Sequence, residues 1–130
     1  MSMRFYNEKI KNYFLNSEYS GTLGQDLPCV YTIDEGSVKL GKLIIFQIML
    51  DNTKSYIKDV KYKVYGCGAT IATIEWLARQ IINQNIVVLD SIKIEDINNG
   101  LELPKNKLHC AITAEDILMR LKLLITGNIN

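Results

Sequence analysis

One short stretch limits what this chain can fold into: an alternating segment runs into Gly66-Cys67-Gly68 and continues with helical spacing. Every second residue from Val60 to Val64 is apolar, which predicts a half-buried strand. After the glycines, apolar residues recur three or four positions apart, as in an amphipathic helix; this stripe contains Ile71, Ile74, Ala78, Ile81 and Ile82. The period changes at Cys67, so the sequence places a thiol at the N-terminus of a helix.

The position of Cys67 indicates two alternatives. Unpaired N–H groups and the positive end of the dipole meet at a helix start, where a cysteine ionises more readily, and the thiolate is the form that attacks electrophiles and binds metals. Flanking glycines let other groups approach closely. On this stretch alone, the other interpretation is a tight turn with a buried structural cysteine.

The remaining pattern predicts an α+β fold in which a small three-stranded antiparallel sheet is covered by N-terminal and C-terminal helices, as one domain over residues 1–130. The predicted helices are residues 4–16, a helix after Cys67, short turns at 86–91 and 94–99, and a last helix that begins with Thr113 as its N-cap. The predicted strands are residues 29–33, which end at Asp34-Glu35-Gly36, then 43–50 and 56–65, with a hairpin loop at 51–55.

Composition excludes several functions. With 15 Lys and Arg against 14 Asp and Glu, the formal charge is +1 and the basic residues are spread along the sequence, so neither nucleic acid nor a membrane is expected as a partner. The longest apolar run, residues 43–50, is too short to span a bilayer, and the N-terminus has no signal-peptide core. Three cysteines do not form a disulfide framework. We therefore expect a reducing compartment, either the cytoplasm or an organellar matrix.

The only histidine, His109, is next to Cys110, and this pair precedes the predicted last helix as Cys67 precedes an earlier one. Two helix starts of this kind can converge on a three-residue metal site, although packing or surface positions are the alternative for such a pair.

Three segments of the chain resemble the IscU/NifU-type iron–sulfur cluster assembly scaffolds. The first two are specific: Tyr65-Gly66-Cys67-Gly68-Ala69-Thr70-Ile71-Ala72, and Leu101-Glu102-Leu103-Pro104 followed by Lys107-Leu108-His109-Cys110-Ala111-Ile112. The third is the opening Tyr6-Asn7-Glu8-Lys9-Ile10, with Tyr13-Phe14 and Asn16. The resemblance therefore covers nearly the whole chain.

The resemblance implies a scaffold, not an enzyme, on which a [2Fe-2S] cluster is built from iron and from sulfur delivered by a cysteine desulfurase, then passed to apo-proteins. Cys67, His109 and Cys110 match the family's second cysteine, its histidine and its third cysteine. These residues are thus expected to hold iron or the cluster, or Zn²⁺ in the isolated protein, and we expect Cys67, His109 and Cys110 to come within metal-ligand reach of one another.

Two of the family's ligands are missing. Its first cysteine lies in an Ala-Cys-Gly-Asp loop, and a gapless count places Leu40 at the cysteine and Lys42 at the aspartate. Leucine cannot ligate iron, and lysine brings a positive charge to a site for a cation. Cys29 would replace the lost thiol only if its strand passes the site; otherwise it is a packed cysteine.

A further departure concerns partners. Scaffolds that use an Hsp70 chaperone carry Leu-Pro-Pro-Val-Lys where this chain has Leu103-Pro104-Lys105-Asn106-Lys107, so a chaperone contact is doubtful and a solvated loop is the alternative. Three functions remain: a scaffold with a depleted ligand set, a degenerate paralogue that acts as an interaction or regulatory partner of the desulfurase without holding a cluster, and a thiol enzyme that uses Cys67 with His109. The last is disfavoured, because no oxyanion hole or base with its orienting group is legible.

Overall fold

The computed structural model describes residues 6–24 and 26–127, with five helices, three strands and two short 3₁₀ turns in those ranges. The helices are α1 (Glu8–Leu15), α2 (Gly68–Ile81), α3 (Val88–Ser91), α4 (Ile94–Leu101) and α5 (Leu108–Thr126). The strands are β1 (Val30–Ser37), β2 (Lys42–Leu50) and β3 (Ile57–Tyr65), and the 3₁₀ turns are Val38–Leu40 and Lys105–Lys107. No helix within these residues is long and apolar enough to cross a bilayer.

The three strands form one antiparallel sheet in the order β1-β2-β3, which confirms the predicted α+β fold and the hairpin loop between β2 and β3. Central β2 buries alternate side chains from Ile44 to Leu50 toward the helices. On the other face, the buried amide of Gln47 accepts a hydrogen bond from the Leu23 N–H at 2.8 Å and donates to Thr32. The sheet is therefore covered on both faces near its centre.

Two helices complete the core. α2 buries eleven of its fourteen residues, because it lies between the sheet, α1 and α5. In α5 the core-facing residues are Cys110, Ala111, Ala114, Ile117, Leu118 and Leu121. Small residues at the start of α5, such as Ala111 and Ala114, let this helix approach closely. The starts of α2 and α5 are consequently brought near each other.

Three predicted boundaries are wrong. The first strand does not end at residues 34–36 but continues to Ser37: Asp34 and Glu35 lie on the edge strand, where polar side chains reach water. Gly36 fits there because its φ is +81° and a Cβ would collide with the carbonyl oxygen of Lys42. Residues 94–99 extend through Gly100 to Leu101.

The third error concerns the last helix. Thr113 does not cap it, because the 3₁₀ turn after Pro104 runs directly into α5 at Leu108, five residues earlier. His109 and Cys110 therefore lie in the first turn of α5 instead of before it. The predicted first helix, residues 4–16, begins at Glu8 with Asn7 as its N-cap, and its predicted start lies outside the described residues.

A buried carboxylate links α2 to the chain after α1. Glu75 has no exposed surface and accepts hydrogen bonds from the Tyr62 hydroxyl at 2.7 Å, the Tyr19 N–H at 3.1 Å and Arg79 Nε at 2.8 Å. The Arg79 guanidinium also lies over the ring of Tyr13 in α1. Burial and the hydrogen bond to Glu75 raise the pKa of Tyr62 far above its usual value. This network fastens the segment after α1 to the core.

Asn7 links α1 to α4, two helices that are far apart in the sequence. Its side-chain oxygen accepts from the Ile10 N–H at 2.8 Å and caps α1, while its amide nitrogen donates to the carbonyls of Leu101 and Glu102 at 3.0 and 2.7 Å. Glu102, with φ +53°, ends α4. One side chain therefore satisfies backbone groups at the start of α1 and at the end of α4.

Candidate functional site

Cys67 stands where β3 passes into α2. It is the N-cap residue of α2, with extended backbone angles, and its side chain is half-buried. The predicted change of period is thus the actual junction of strand and helix. Lys42 lies beside Gly66, since a Cβ at this glycine would be in ordinary contact with Lys42 Cγ, at 3.5 Å.

Thr70 lies between the two cysteines. Its hydroxyl oxygen is 3.3 Å from Cys67 Sγ and 3.6 Å from Cys110 Sγ, so the two sulfurs are less than about 7 Å apart. Cys110 is 2% exposed, so that Cys67 is the more accessible of the two thiols. Thr70 follows Cys67 by about one helical turn, so both side chains lie on the same side of α2. This spacing predicts the contact between Thr70 and Cys67.

His109 is exposed in the first turn of α5, with Nε2 3.7 Å from Cys110 Sγ. The structure therefore brings Cys67, His109 and Cys110 together at two helix starts. They are neighbours without forming a finished ion site: within the described residues, no three side chains of His, Cys, Asp or Glu are grouped so that they could hold a metal. Their role as ligands stays a prediction.

Two lysines lie close to the two helix starts that carry the thiols. Lys42 extends over Gly66 and its Nζ lies 3.3 Å from the Thr113 hydroxyl oxygen, while Lys107 Nζ lies 3.8 Å from Cys67 Sγ. Sequence reasoning placed Lys42 at a lost ligand position but gave Lys107 and Thr113 no contact with the site. No local pattern predicts these contacts, because they depend on the packing of α5 against the sheet and the start of α2.

The two thiols differ in acidity. A hydrogen bond from the Cys110 thiol, with further ones from Thr70 and the charge of Lys107, lowers the pKa of Cys67 to about 4. The same bond, in which Cys110 keeps its proton, together with burial, raises the pKa of Cys110 far above its usual value. The site therefore holds one thiolate and one thiol at neutral pH.

This difference predicts that Cys67 reacts with iodoacetamide at nearly the same rate at pH 6 and pH 8. A lowered pKa means that the thiolate persists as pH falls and is lost only near the pKa of about 4. An ordinary cysteine has roughly 100-fold less thiolate at pH 6 than at pH 8. Mass spectrometry of the peptide that contains Cys67, from folded and from denatured protein, measures both rates. A folded-state rate that falls as steeply as the denatured one would contradict the assignment.

The remaining two candidate positions lie at opposite ends of the sheet. Leu40 ends the 3₁₀ turn two residues before Lys42, at the same end of the sheet as the thiols, and is 79% exposed; Gly41 follows with φ +79°. Cys29 does not complete the site. It precedes the far end of β1, and seven residues of strand separate Val30 from Ser37 at the site's end of the sheet, about 23 Å. Cys29 instead packs against the core at the opposite end.

One known protein family matches most of this sequence. The model of the family described as "NifU-like N terminal domain" matches residues 5–121. The chain belongs to this family. The resemblance stated from the sequence is thereby confirmed.

Several curated proteins are similar to this NifU-like chain. The mitochondrial "Iron sulfur cluster assembly protein 1" of Kluyveromyces lactis is 32% identical over 90% of the chain, and that of Debaryomyces hansenii is 36% identical over 88%. The chain spans 65% and 64% of those two proteins, less than two thirds of each. The "Iron-sulfur cluster assembly scaffold protein IscU" of Haemophilus influenzae is 33% identical over 87% of the chain and 89% of its own length.

Solved structures share the fold. A putative iron-sulfur cluster assembly scaffold protein for the SUF system from Fervidobacterium islandicum gives a TM-score of 0.55 at 23% identity, and covers 94% of this chain and 90% of its own. The N-terminal part of a nitrogen-fixing NifU-like protein from Brucella abortus gives 0.57 at 15% identity, with 94% and 83% covered. At these identities the likeness concerns the fold alone.

Proposed function

We propose that this chain acts as an iron–sulfur cluster assembly scaffold that binds iron and a [2Fe-2S] cluster through Cys67, Cys110 and His109 and passes the cluster to apo-proteins. One observation carries the proposal: two thiols less than about 7 Å apart at two helix starts, in a chain of the NifU-like family. Thiolate and imidazole are ligands for iron and for iron–sulfur clusters, so the donor set fits this cargo.

The site of this chain holds its cargo with fewer protein groups than the resemblance implies. Leu40 supplies no donor, and Lys42 places an ammonium group where the resemblance expects a carboxylate. A site with three protein ligands leaves a coordination position open to water or to an incoming group. Such a site binds weakly and releases readily, which suits transfer more than storage.

Partners and location follow from the same proposal. A cysteine desulfurase supplies sulfur, and apo-proteins accept the cluster. The relatives are named as mitochondrial proteins and as a bacterial scaffold, which supports a place in an organellar matrix or in the cytoplasm. No catalytic activity of the chain itself is proposed.

Anaerobic reconstitution tests the proposal. The chain is incubated with ferrous iron, cysteine and a cysteine desulfurase, and iron and labile sulfide per chain are measured after desalting. We expect equal amounts of iron and sulfide in the unmodified chain and in Cys29→Ser, and a loss of both in Cys67→Ser and Cys110→Ser. If the unmodified chain binds neither, or if Cys67→Ser binds as much, the chain is not a scaffold that uses this site, and a partner role without a cluster replaces the proposal.

Segment 103–107 is expected to be a poor Hsp70 ligand. Lys105 and Asn106 stand where the chaperone-binding scaffolds carry Pro-Val, and both are exposed in the 3₁₀ turn that leads into α5. A peptide spanning the segment should stimulate the ATPase of a partner Hsp70 far less than one that carries Leu-Pro-Pro-Val-Lys. Comparable stimulation by the two peptides would show that the two substitutions do not matter.

A further inference from the structure

Three segments meet at the two thiols and contain no acidic residue. Segments 37–43, 66–70 and 103–113 have no Asp or Glu. Their basic residues are Lys39, Lys42, Lys105, Lys107 and His109. Since the whole chain has 15 basic against 14 acidic residues, the fold gathers at this end a positive charge that the sequence spreads out.

Contacts join the three segments into one surface, which we call the basic face. Lys42 of the first segment extends over Gly66 of the second and reaches Thr113 of the third. Lys107 of the third segment contacts Cys67 of the second. In the part of the chain that the structure describes, none of the four lysines of this face is paired with a carboxylate.

The basic face also exposes large apolar side chains. Leu40 is 79% exposed, and the others are Val38, Leu108 and Ile112. A single exposed leucine needs no explanation, but four large apolar residues within two adjoining segments form a patch of the kind that marks interaction sites. Here the apolar residues stand among cations that have no acidic neighbours in their own segments.

We propose that the basic face docks a polypeptide segment that presents carboxylates beside apolar side chains. This inference rests on the proposed scaffold function, because a protein that delivers sulfur to Cys67 or accepts a cluster must bring a polypeptide against this surface. Unpaired lysines are complementary to carboxylates, and the exposed leucine, valine and isoleucine side chains to apolar side chains. A docked carboxylate beside Lys42 also supplies in trans the acidic group that the chain lacks at this position.

Other partners fit the face less well. Nucleic acid would leave the apolar residues without a counterpart, since its outer surface is phosphate. An anionic membrane matches both the charge and the apolar residues, but it would cover Cys67 and exclude the proteins that exchange sulfur and iron there. The polypeptide is therefore the occupant that agrees with both the surface and the site.

Fluorescence anisotropy at low salt tests the docking with the apo-protein and a labelled peptide in which Glu and Leu alternate. Charge reversal at Lys39→Glu with Lys105→Glu should weaken binding at least about tenfold, whereas Lys54→Glu with Lys58→Glu should change it little. The two double variants alter the net charge equally, and all four lysines are exposed. Equal losses in the two would overturn the proposal, since binding would then follow net charge alone.

Two leucine substitutions test whether the apolar residues of the basic face contribute to binding. Leu40→Ser should weaken binding severalfold, and Leu15→Ser, at a leucine of α1 that is 70% exposed, should not. A peptide with Lys in place of Glu, vesicles of phosphatidylglycerol and a single-stranded oligonucleotide should each bind more weakly than the Glu-Leu peptide. Stronger binding of any of these, or no effect of Leu40→Ser, would overturn the proposal. Because the assay contains no iron or sulfide, its result is independent of the reconstitution test.

Discussion

The double variant Leu40→Cys with Lys42→Asp is expected to bind Zn²⁺ at least about 100-fold more tightly than the unmodified chain. Lys42 reaches across Gly66 to Thr113, so its ammonium group stands beside the thiols. Replacing it with a carboxylate changes the charge of the site by two units. A pair of unit charges about 4 Å apart is worth ~4 kcal/mol at an effective dielectric of 20, and exposure and side-chain movement reduce that severalfold. The added thiolate contributes in the same direction.

Chelator competition measures this affinity, and iron and sulfide per chain after reconstitution measure the gain in cluster binding. The matched control is Leu40→Ser with Lys42→Asn, which removes the leucine and the cation without adding a thiolate or a carboxylate. We expect the control to gain only a small part of the affinity. If the unmodified chain already holds a stable cluster and the double variant gains nothing, another group completes the site and the placement of Leu40 at the lost cysteine is wrong.

Arg79→Met is expected to lower the free energy of unfolding by about 2 to 3 kcal/mol, because it leaves the Glu75 carboxylate buried without its cation. Glu75 is fully buried, and the Arg79 side chain is 25% exposed, so the loss should fall below that of a wholly buried ion pair. Methionine keeps most of the volume, which separates charge from packing. Urea denaturation followed by circular dichroism measures the change.

A second substitution identifies the cause of this loss. Glu75→Gln removes the charge but keeps an oxygen that accepts from the Tyr62 hydroxyl and the Tyr19 N–H. In the Arg79→Met background it should therefore restore more than half of the lost stability. A loss below about 1 kcal/mol in Arg79→Met, or no recovery in the double variant, would mean that the buried carboxylate does not depend on Arg79.

Sequence patterns predicted the helices and strands that are determined by residues close together in the sequence. The change of period at Cys67 located the junction of β3 and α2, because a strand and a helix bury side chains at different spacings. The capping pattern at Thr113 misled, because local preference favours a helix start there while the chain already becomes helical at Leu108. The acidic residues of β1 misled in the same way, since an edge strand tolerates them.

The candidate site also has contacts that the sequence predicts and contacts that it does not. The pairing of Cys67 with His109 and Cys110 was legible from the helix starts together with the family resemblance. Three contacts depend on how α5 packs against the rest of the fold: Lys107 with Cys67, Thr70 with Cys110, and Lys42 with Thr113. Contacts between residues 40 to 71 positions apart leave no mark in a sequence window. The sequence left the position of Cys29 undecided for the same reason. Only the strand register places Cys29 at the end of the sheet opposite the thiols.

The hydrogen bonds of Asn7 delay one step of folding during synthesis. The Asn7 amide binds carbonyls 94 and 95 residues further along, so these partners leave the ribosome long after α1 itself. At about 5–20 residues per second, this delay is roughly 5–20 s. An eight-residue helix is too short to persist alone in water. α1 packs on α2, which is synthesised earlier than α4, but its N-terminal end is secured only after α4 has been made, and for those seconds this end is accessible to factors that bind nascent chains.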